Sequence, residues 1–170
     1  IVLGRITKTI DGKKLRGDRV VQVDAGATQT LWDWSCFDHL DTSYMPGPLS
    51  QKAGKKDGSH DWTHANGLVY RPASQSVMVS LRHHNQIVNI DHQSGDLLWK
   101  LGQDGDFELK SGSWFYSQHS PDWLSDNRVL VYDNGNERPR AKKYSRAVLY
   151  KIDESAMTAE QVWEFKTDHY

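Results

Sequence analysis

Two histidines and one arginine carry the side chains best suited to chemistry in this 170-residue sequence. His64 lies in the segment DWTHAN, and His119 lies in the segment YSQHS. Neutral imidazole is a nucleophile and a proton carrier near pH 7. Arg82 has a permanent positive charge, and the alternation of residues 77–82 places it on the strand face opposite the aliphatic side chains. Two imidazoles beside a guanidinium predict a binding site for an anion.

Two other roles compete for these histidines. A single histidine is more often a surface or hydrogen-bonded structural residue than a catalyst. Metal ligation is the second alternative, and the imidazoles that could serve are His64, His83, His84 and His119. His83 and His84 are adjacent, so on a strand they would point to opposite faces. The sequence has no HExxH or CxxC spacing, and we therefore predict no catalytic metal.

An internal repeat indicates the elements that position these residues. The pattern is an apolar pair, an aspartate, a polar turn and an apolar residue followed by tryptophan. Its copies span residues 20–34, 87–101 and 148–165. Each copy predicts two short strands joined by a turn. The recurring aspartates are interpreted as turn residues and the recurring tryptophans as core residues. They are Asp24, Asp91 and Asp153, and Trp32, Trp99 and Trp163.

A second pair of strands precedes two of the copies. Residues 67–70 and 77–81 flank one turn, and residues 123–124 and 129–132 flank another. Four strands per unit, repeated head to tail, are typical of the blades of a β-propeller. Residues 156–161 have local helical propensity, but the repeat predicts a hairpin there.

The predicted fold class is therefore all-β, a β-propeller of which this chain covers about two and a half blades. We assign a partial blade to 1–36, a blade with His64 and Arg82 to 37–102, and a blade with His119 to 103–170, all in one propeller domain. Because a propeller needs at least about four blades to close, the chain is interpreted as a piece of a longer protein or a processed product. The alternative is a small open all-β domain, whose strand edges would be exposed to aggregation.

The predicted propeller brings the two histidines to one place. The first strand of a blade is the innermost, and His64 and His119 each precede such a strand, so both are expected at a shared central channel. Asn134 lies in the sequence DNGN, which is typical of a turn. It also follows a strand directly, could line the channel, and is a candidate substrate-binding residue. The polar stretch 41–60 is predicted to be a solvated loop that could cover the channel mouth.

Composition argues against several classes of protein. The 21 basic and 22 acidic residues give a net charge of −1, so no sustained positive field attracts nucleic acid or an anionic membrane surface. Cys36 is the single cysteine, which excludes an intrachain disulfide. The apolar runs are far shorter than the roughly 20 residues that cross a bilayer, and no signal peptide opens the chain.

Several of these segments together resemble the bacterial arylsulfotransferase family, whose members use aryl sulfates instead of the nucleotide PAPS as sulfuryl donors. The resemblance runs from about residue 20 to about residue 165. It rests on the segments DWTHAN, SLRH, QH, YDNG and YSRAVLYKID. Each segment alone would be a weak signal, but together they are specific.

The resemblance implies a six-bladed propeller with its active site in the central channel, in a periplasmic or secreted bacterial enzyme. His119 matches the nucleophile that becomes sulfated. His64, Asn66 and Arg82 match residues that hold the sulfuryl group and stabilise its transfer, and a further family histidine would fall before Ile1. The implied reaction is ping-pong transfer from an aryl sulfate to a phenol through a sulfohistidine, with no cofactor and no metal.

The expected partners are an aryl sulfate donor, a phenolic acceptor and the remaining blades of a longer chain, with a homo-oligomer left open and no nucleic acid or membrane span. Two other functions stay open on the sequence. A non-catalytic propeller could be a binding scaffold, although a scaffold has no need for His64, Asn66, Arg82 and His119 on one channel. A metal-dependent hydrolase on the same fold would lose activity on chelation.

Overall fold

The regular secondary structure in the computed structural model consists almost entirely of β-strands, which confirms the predicted all-β class. It describes residues 1–54, 56–136, 138–139 and 144–166. The chain divides into two compact units, Ile1–Ala65 and Asn66–Tyr170. No helix within the described stretches is long and apolar enough to cross a membrane. The propeller and its blade boundaries stay predictions, since the described strands form three separate sheets.

The first unit holds one four-stranded sheet. Its strands are β1 (Val2–Ile10), β2 (Lys13–Val23), β3 (Thr30–Ser35) and β4 (His60–Asp61). A tight turn connects β1 to β2 and the longer segment 24–29 connects β2 to β3, and both pairs are antiparallel. Strand β4 pairs with β2 in parallel. Two single helical turns follow β3, namely α1 (Cys36–His39) and α2 (Pro48–Gln51). The apolar side chains buried in this unit are Leu15, Val20, Trp34, Cys36 and Trp62.

The stretch 41–60, predicted to be a loop, contains α2 and the first residue of β4. Parts of it are anchored to the unit. The indole N–H of Trp62 donates to the carbonyl oxygen of Tyr44 at 2.9 Å, and the buried hydroxyl of Ser50 donates to the carbonyl oxygen of Gly47 at 2.9 Å. The stretch is therefore partly packed rather than wholly solvated.

The second unit begins with an antiparallel sheet in which the strands are neighbours in chain order. These are β5 (Ala65–Arg71), β6 (Ser76–Leu81), β7 (Gln86–Asp91) and β8 (Leu97–Gly102). A 3-10 turn over Arg82–His84 joins β6 to β7. Asn85 ends that turn with φ of 56°, a left-handed conformation that asparagine tolerates better than most residues. Every residue of β6 is buried, so both faces of this strand are covered.

A second sheet of this unit has the order β10-β11-β12-β13, with β9 parallel to β13 at its edge. Its strands are β9 (Glu108–Ser111), β10 (His119–Leu124), β11 (Arg128–Asp133), β12 (Arg146–Asp153) and β13 (Thr158–Lys166). Strand β13 pairs with β12 as a hairpin, so the hairpin predicted at 156–161 is confirmed against the local helical propensity. Buried apolar residues of both sheets, with Phe115 from the segment between β9 and β10, form one hydrophobic core. Its strand residues include Met78, Ile87, Leu101, Val131 and Val148.

The three copies of the repeat share one irregularity. In each copy the pairing register shifts by one residue just before the tryptophan, so that an extra residue bulges from the second strand. The bulged residues are Leu31, Leu98 and Val162, which are 56%, 46% and 47% exposed. The bulge turns an apolar residue to solvent while the tryptophan keeps its partner on the preceding strand. Sequence similarity among the copies thus reflects a repeated backbone feature.

The tryptophans of the copies differ in burial. Trp99 is 3% exposed, and its indole N–H donates at 3.1 Å to Glu154, in the turn between β12 and β13. Trp32 is half-buried. The prediction that every copy has a core tryptophan is wrong for Trp163, which is 48% exposed and stacks on the exposed ring of Phe165. The repeat fixes the strand position of the indole, but burial also requires a second element to cover it.

The recurring aspartates are turn residues, as predicted. Asp91 Oδ1 accepts the backbone N–H groups of Gln93 at 2.8 Å and Ser94 at 2.7 Å. Asp24 and Asp153 accept backbone N–H groups of their own turns in the same way. Hydrogen bonds from these N–H groups, that of Ser94 first, hold the pKa of Asp91 below its ordinary value. Ionised Asp91 therefore stabilises its turn.

Candidate active site

His64 lies in the bend between β4 and β5, in an unusual backbone conformation. Its φ is 51°, in the left-handed region that few residues with a Cβ adopt. Asp18 on β2 holds the residues on both sides, since its Oδ2 accepts from the hydroxyl of Thr63 at 2.6 Å and from the backbone N–H of Ala65 at 2.7 Å. The Asp18 side chain is buried, and this burial raises its pKa above the ordinary value. Sequence reasoning missed Asp18, because it is 46 positions from His64 and belongs to no local motif.

Asp61 orients the His64 ring. The Asp61 Oδ2 atom is 2.6 Å from Nδ1 of His64 and 3.2 Å from Nη2 of Arg16. The parallel pairing of β4 with β2 places Arg16 opposite Asp61. Because a carboxylate only accepts hydrogen bonds, Nδ1 carries the proton and Nε2 points away from Asp61. A carboxylate and an imidazole are also zinc ligands. The effect of a chelator on activity therefore tests whether this site uses a metal ion.

The raised pKa of Asp18 predicts a pH-dependent stability. Between the ordinary aspartate pKa and the raised value, the folded protein binds more protons than the unfolded chain, so the free energy of unfolding falls as pH rises through this window. Asp18→Asn keeps an oxygen that can accept both hydrogen bonds and has no charge to bury. Urea unfolding from pH 4 to pH 7 is expected to show wild type losing stability relative to Asp18→Asn. The exposed Asp38 gives the control Asp38→Asn. A stability difference between wild type and Asp18→Asn that stays constant with pH would contradict the prediction.

His119 is the first residue of β10 and is half-buried. Residues with left-handed backbone lie on both sides of it, with φ of 52° at Ser117 and 45° at Ser120. The chain therefore bends before and after His119. The side chain of Asn85 holds the first bend, since its Oδ1 accepts the backbone N–H of Ser117 at 2.7 Å. Strained backbone that its surroundings hold in place is common at functional sites.

Asn66 and Asn134, both predicted site residues, contact the same segment. Nδ2 of Asn66 donates to the carbonyl oxygen of Gln118 at 2.8 Å, and Nδ2 of Asn134 donates to the carbonyl oxygen of Ser117 at 2.8 Å. The structure thus brings both side chains to the peptides that precede His119. An amide NH₂ group has two hydrogens, so each asparagine has a second N–H in addition to the one used here. A contact of either with substrate stays a prediction.

Gly67 is a site residue that sequence reasoning missed. A Cβ atom at this position would lie 2.5 Å from Cδ of Pro121 and 3.1 Å from the backbone nitrogen of Ser120. Glycine alone lets β5 pass this close to the residues that follow His119. The sequence feature that could have indicated Gly67 is its position, directly after the DWTHAN segment.

Arg82 does not end a strand as predicted. Strand β6 ends at Leu81, and Arg82 begins the 3-10 turn, where its Nη1 donates to Nε2 of His83 at 2.9 Å. His83 and His84 share this turn and are 4% and 1% exposed, so strand alternation does not separate them to opposite faces. Burial, together with the charges of His83 and Lys100, lowers the pKa of His84 to about 3. His84 is therefore neutral at pH 7.

Asp133, from the YDNG segment, is a buried anchor. Its Oδ1 accepts the backbone N–H groups of Tyr116 and Gly135, each at 2.9 Å. Its Oδ2 pairs with Arg138 and Arg146. Asp133 therefore connects the end of β11 to the segment that leads to His119.

The predicted site residues are divided between the two compact units. His64 lies in the first unit, and the second unit contains Asn66, Arg82, His119 and Asn134. A common channel for all of them stays a prediction.

Comparison with known proteins identifies the family. Residues 3–170 match the model of the family described as Arylsulfotransferase (ASST). The arylsulfate sulfotransferase AssT of Escherichia coli O6:H1 is 28% identical over 192 residues, and that of Lelliottia amnigena is 29% identical over 193 residues. Each alignment covers 94% of this chain and 31% of the relative, so the chain spans less than a third of the length of these curated relatives. The family match extends over nearly the whole chain, and this chain belongs to the arylsulfotransferase family.

Proposed function

We propose that this chain is part of an enzyme that transfers a sulfuryl group from an aryl sulfate ester to a phenolic acceptor without PAPS. The observation that carries the proposal is the support around His119, which matches the family nucleophile. Side-chain amides of Asn66, Asn85 and Asn134 hold the backbone just before it. A nucleophile gains from such support because a fixed position lowers the entropic cost of reaching the transition state. A histidine with a purely solvated role has no need of it.

In the first half-reaction, a neutral imidazole nitrogen of His119 attacks the sulfur of the donor. An N–S bond forms, the ester S–O bond breaks, and the phenolate leaves with the bonding electron pair. The guanidinium of Arg82 and a protonated His64 would stabilise the charge on the sulfuryl oxygens, and the second N–H of Asn66 would donate to one of them. One preorganised donor of this kind typically contributes about 3 kcal/mol to lowering a barrier.

In the second half-reaction, the hydroxyl oxygen of the acceptor phenol attacks the same sulfur. The N–S bond breaks, its electron pair returns to the imidazole of His119, and the phenol proton passes to solvent, from which the phenolate expelled in the first half-reaction takes one up. Two half-reactions through one covalent intermediate give ping-pong kinetics. Every bond made or broken lies between the two substrates and His119, so this scheme needs no cofactor.

A propeller fold and an exported location belong to the same proposal. The repeated bulged hairpins support a propeller, since each copy is a hairpin within a sheet of four or five strands. Trp99 supports it too, because the next sheet along the chain covers this indole. A further sheet of the same kind would cover Trp163, the equivalent residue that is 48% exposed. A bacterial periplasmic location follows from the family resemblance, and the curated relatives are bacterial.

The proposal predicts that the full-length protein transfers sulfate between phenols. A chromogenic aryl sulfate is mixed with the protein and a second phenol, in the absence of PAPS and in the presence of EDTA. We expect release of the chromophore at a rate that depends on the acceptor, with double-reciprocal plots that are parallel as ping-pong kinetics requires.

The control is the same reaction without acceptor. Activity that EDTA abolishes would favour a metal-dependent hydrolase. A folded protein that releases no chromophore from several donors would contradict the proposal and favour a binding scaffold.

A further inference from the structure

We propose that Gln118 is a positioning residue that fixes the separation between the nucleophile His119 and Arg82. The proposal rests on the proposed function, which gives those two residues their roles. Gln118 directly precedes His119, and none of its surface is exposed. It therefore acts through contacts inside the second unit, not by touching substrate.

The side-chain amide of Gln118 reaches the strands on both sides of Arg82. Its Nε2 is 3.2 Å from the carbonyl oxygen of Leu81 and 2.8 Å from that of Gln86, and it is 3.1 Å from the hydroxyl oxygen of Ser80. The two hydrogens of the NH₂ group are shared among these three oxygens. Leu81 directly precedes Arg82, and Gln86 begins β7 after the 3-10 turn that Arg82 opens. One buried amide thus holds both ends of this turn. These three contacts form a bridge between Gln118 and the turn of Arg82.

The backbone around Gln118 is tied to the same region. Its carbonyl oxygen accepts from Nδ2 of Asn66 at 2.8 Å. The preceding residue, Ser117, donates its backbone N–H to Asn85, which closes the turn of Arg82. These contacts leave little freedom for the nucleophile segment to move relative to the turn. Because a displacement of about 1 Å can cost about 10²-fold in rate, the bridge has a direct kinetic consequence.

The first test removes the NH₂ group while keeping the length of the side chain. In the full-length Gln118→Met protein, the rate constant of the chromophore burst, which reports attack by His119, is expected to fall by about 10- to 100-fold. The donor KM should change by less than about threefold, since Gln118 does not touch the donor. Asn89→Leu is the matched control, because Asn89 is another fully buried amide of the same unit. A burst in Gln118→Met within about twofold of wild type, or an equal loss in Asn89→Leu, would overturn the proposal.

A second variant separates positioning from simple structural support. Protonated glutamate at position 118 can donate one hydrogen bond to the oxygens now shared by Nε2, whereas ionised glutamate donates none. Acceptor oxygens and burial are expected to raise the pKa of such a carboxyl. The ratio of the Gln118→Glu burst rate to that of wild type should therefore rise as pH falls from 9 to 5, while the ratio for Gln118→Met stays flat. A Gln118→Glu ratio that does not change with pH would contradict the positioning role. If Gln118→Met does not fold, the pH dependence of Gln118→Glu alone tests the proposal.

Hydrogen exchange distinguishes failure of this proposal from failure of the proposed function. In Gln118→Met the backbone amides of residues 81–86 and those of residues 117–120 should both exchange at least about tenfold faster than in wild type. This readout does not require any sulfuryl transfer. If wild type transfers no sulfuryl group while both segments exchange faster in Gln118→Met, the proposed function is contradicted and the proposed bridge is supported. Faster exchange in one segment alone would overturn the bridge.

Discussion

Replacing His119 with alanine is expected to lower kcat for sulfuryl transfer by at least about 10⁴-fold, because in the proposed mechanism its imidazole nitrogen forms the bond to sulfur. The remaining site would still hold the donor through Arg82, so donor binding should change far less than turnover. No covalent intermediate can form without the imidazole, and the chromophore burst should disappear together with steady-state turnover. The loss of both signals distinguishes a nucleophile from a residue that merely assists.

The measurement combines single-turnover kinetics with mass spectrometry of the protein quenched after donor alone. Wild type is expected to gain the mass of one SO₃ group on the peptide that contains His119, and His119→Ala is expected to gain none. His92→Ala is the matched control, since His92 lies in the hairpin turn after β7 and packs against Tyr70. Full activity in His119→Ala, or a sulfated peptide that lacks residue 119, would contradict the assignment.

Local sequence patterns were sufficient to predict the strand pairs. Apolar alternation and turn residues recur in each copy of the repeat, so the hairpin at 156–161 could be predicted against its helical propensity. The bulges at Leu31, Leu98 and Val162 could not be predicted from the sequence, because a bulge depends on the pairing register between two strands. The exposure of Trp163 could not be predicted either. Equivalent positions in a repeat share a backbone, but each position has its own neighbours.

The candidate site was predictable where a reactive side chain and a local motif coincide. His64 and His119 can be recognised in the sequence because an imidazole can act as a nucleophile or proton carrier near pH 7. Asp18 and Gln118 cannot be distinguished in the sequence from ordinary polar residues. The structure shows that both residues contact positions distant in the sequence, such as the contact between Asp18 and Thr63 at 2.6 Å. The placement of Arg82 on a strand was wrong because the chain turns one residue earlier, after Leu81.

Arg146→Met is expected to destabilise the protein by about 3–5 kcal/mol, the usual cost of removing one partner from a buried ion pair. The Arg146 side chain is 1% exposed, and its Nε donates at 2.8 Å to Asp133, which is 0% exposed. Its Nη1 donates to Glu164 at 2.8 Å, and its Nη2 donates to the carbonyl oxygen of Ser113 at 2.9 Å. Methionine fills much of the same space but donates to none of these oxygens. Asp133 would keep its pairing with Arg138 but lose the buried contact with Arg146, and Glu164 and the carbonyl oxygen of Ser113 would each lose a charged donor.

Urea unfolding of wild type, Arg146→Met and Arg128→Met measures this cost against a matched control. Arg128 lies on β11 of the same sheet, but its ion pair with Asp126 at 3.3 Å is largely exposed, so its loss should cost less than about 1 kcal/mol. The double variant Arg146→Met with Asp133→Asn should lose less stability than the sum of the two single losses, because both substitutions remove the same buried contact. The two arginine variants losing equal stability would contradict the prediction. A large difference would mean that the YDNG and YSRAVLYKID segments share a structural role, in which Asp133 and Arg146 hold the sheet that positions His119.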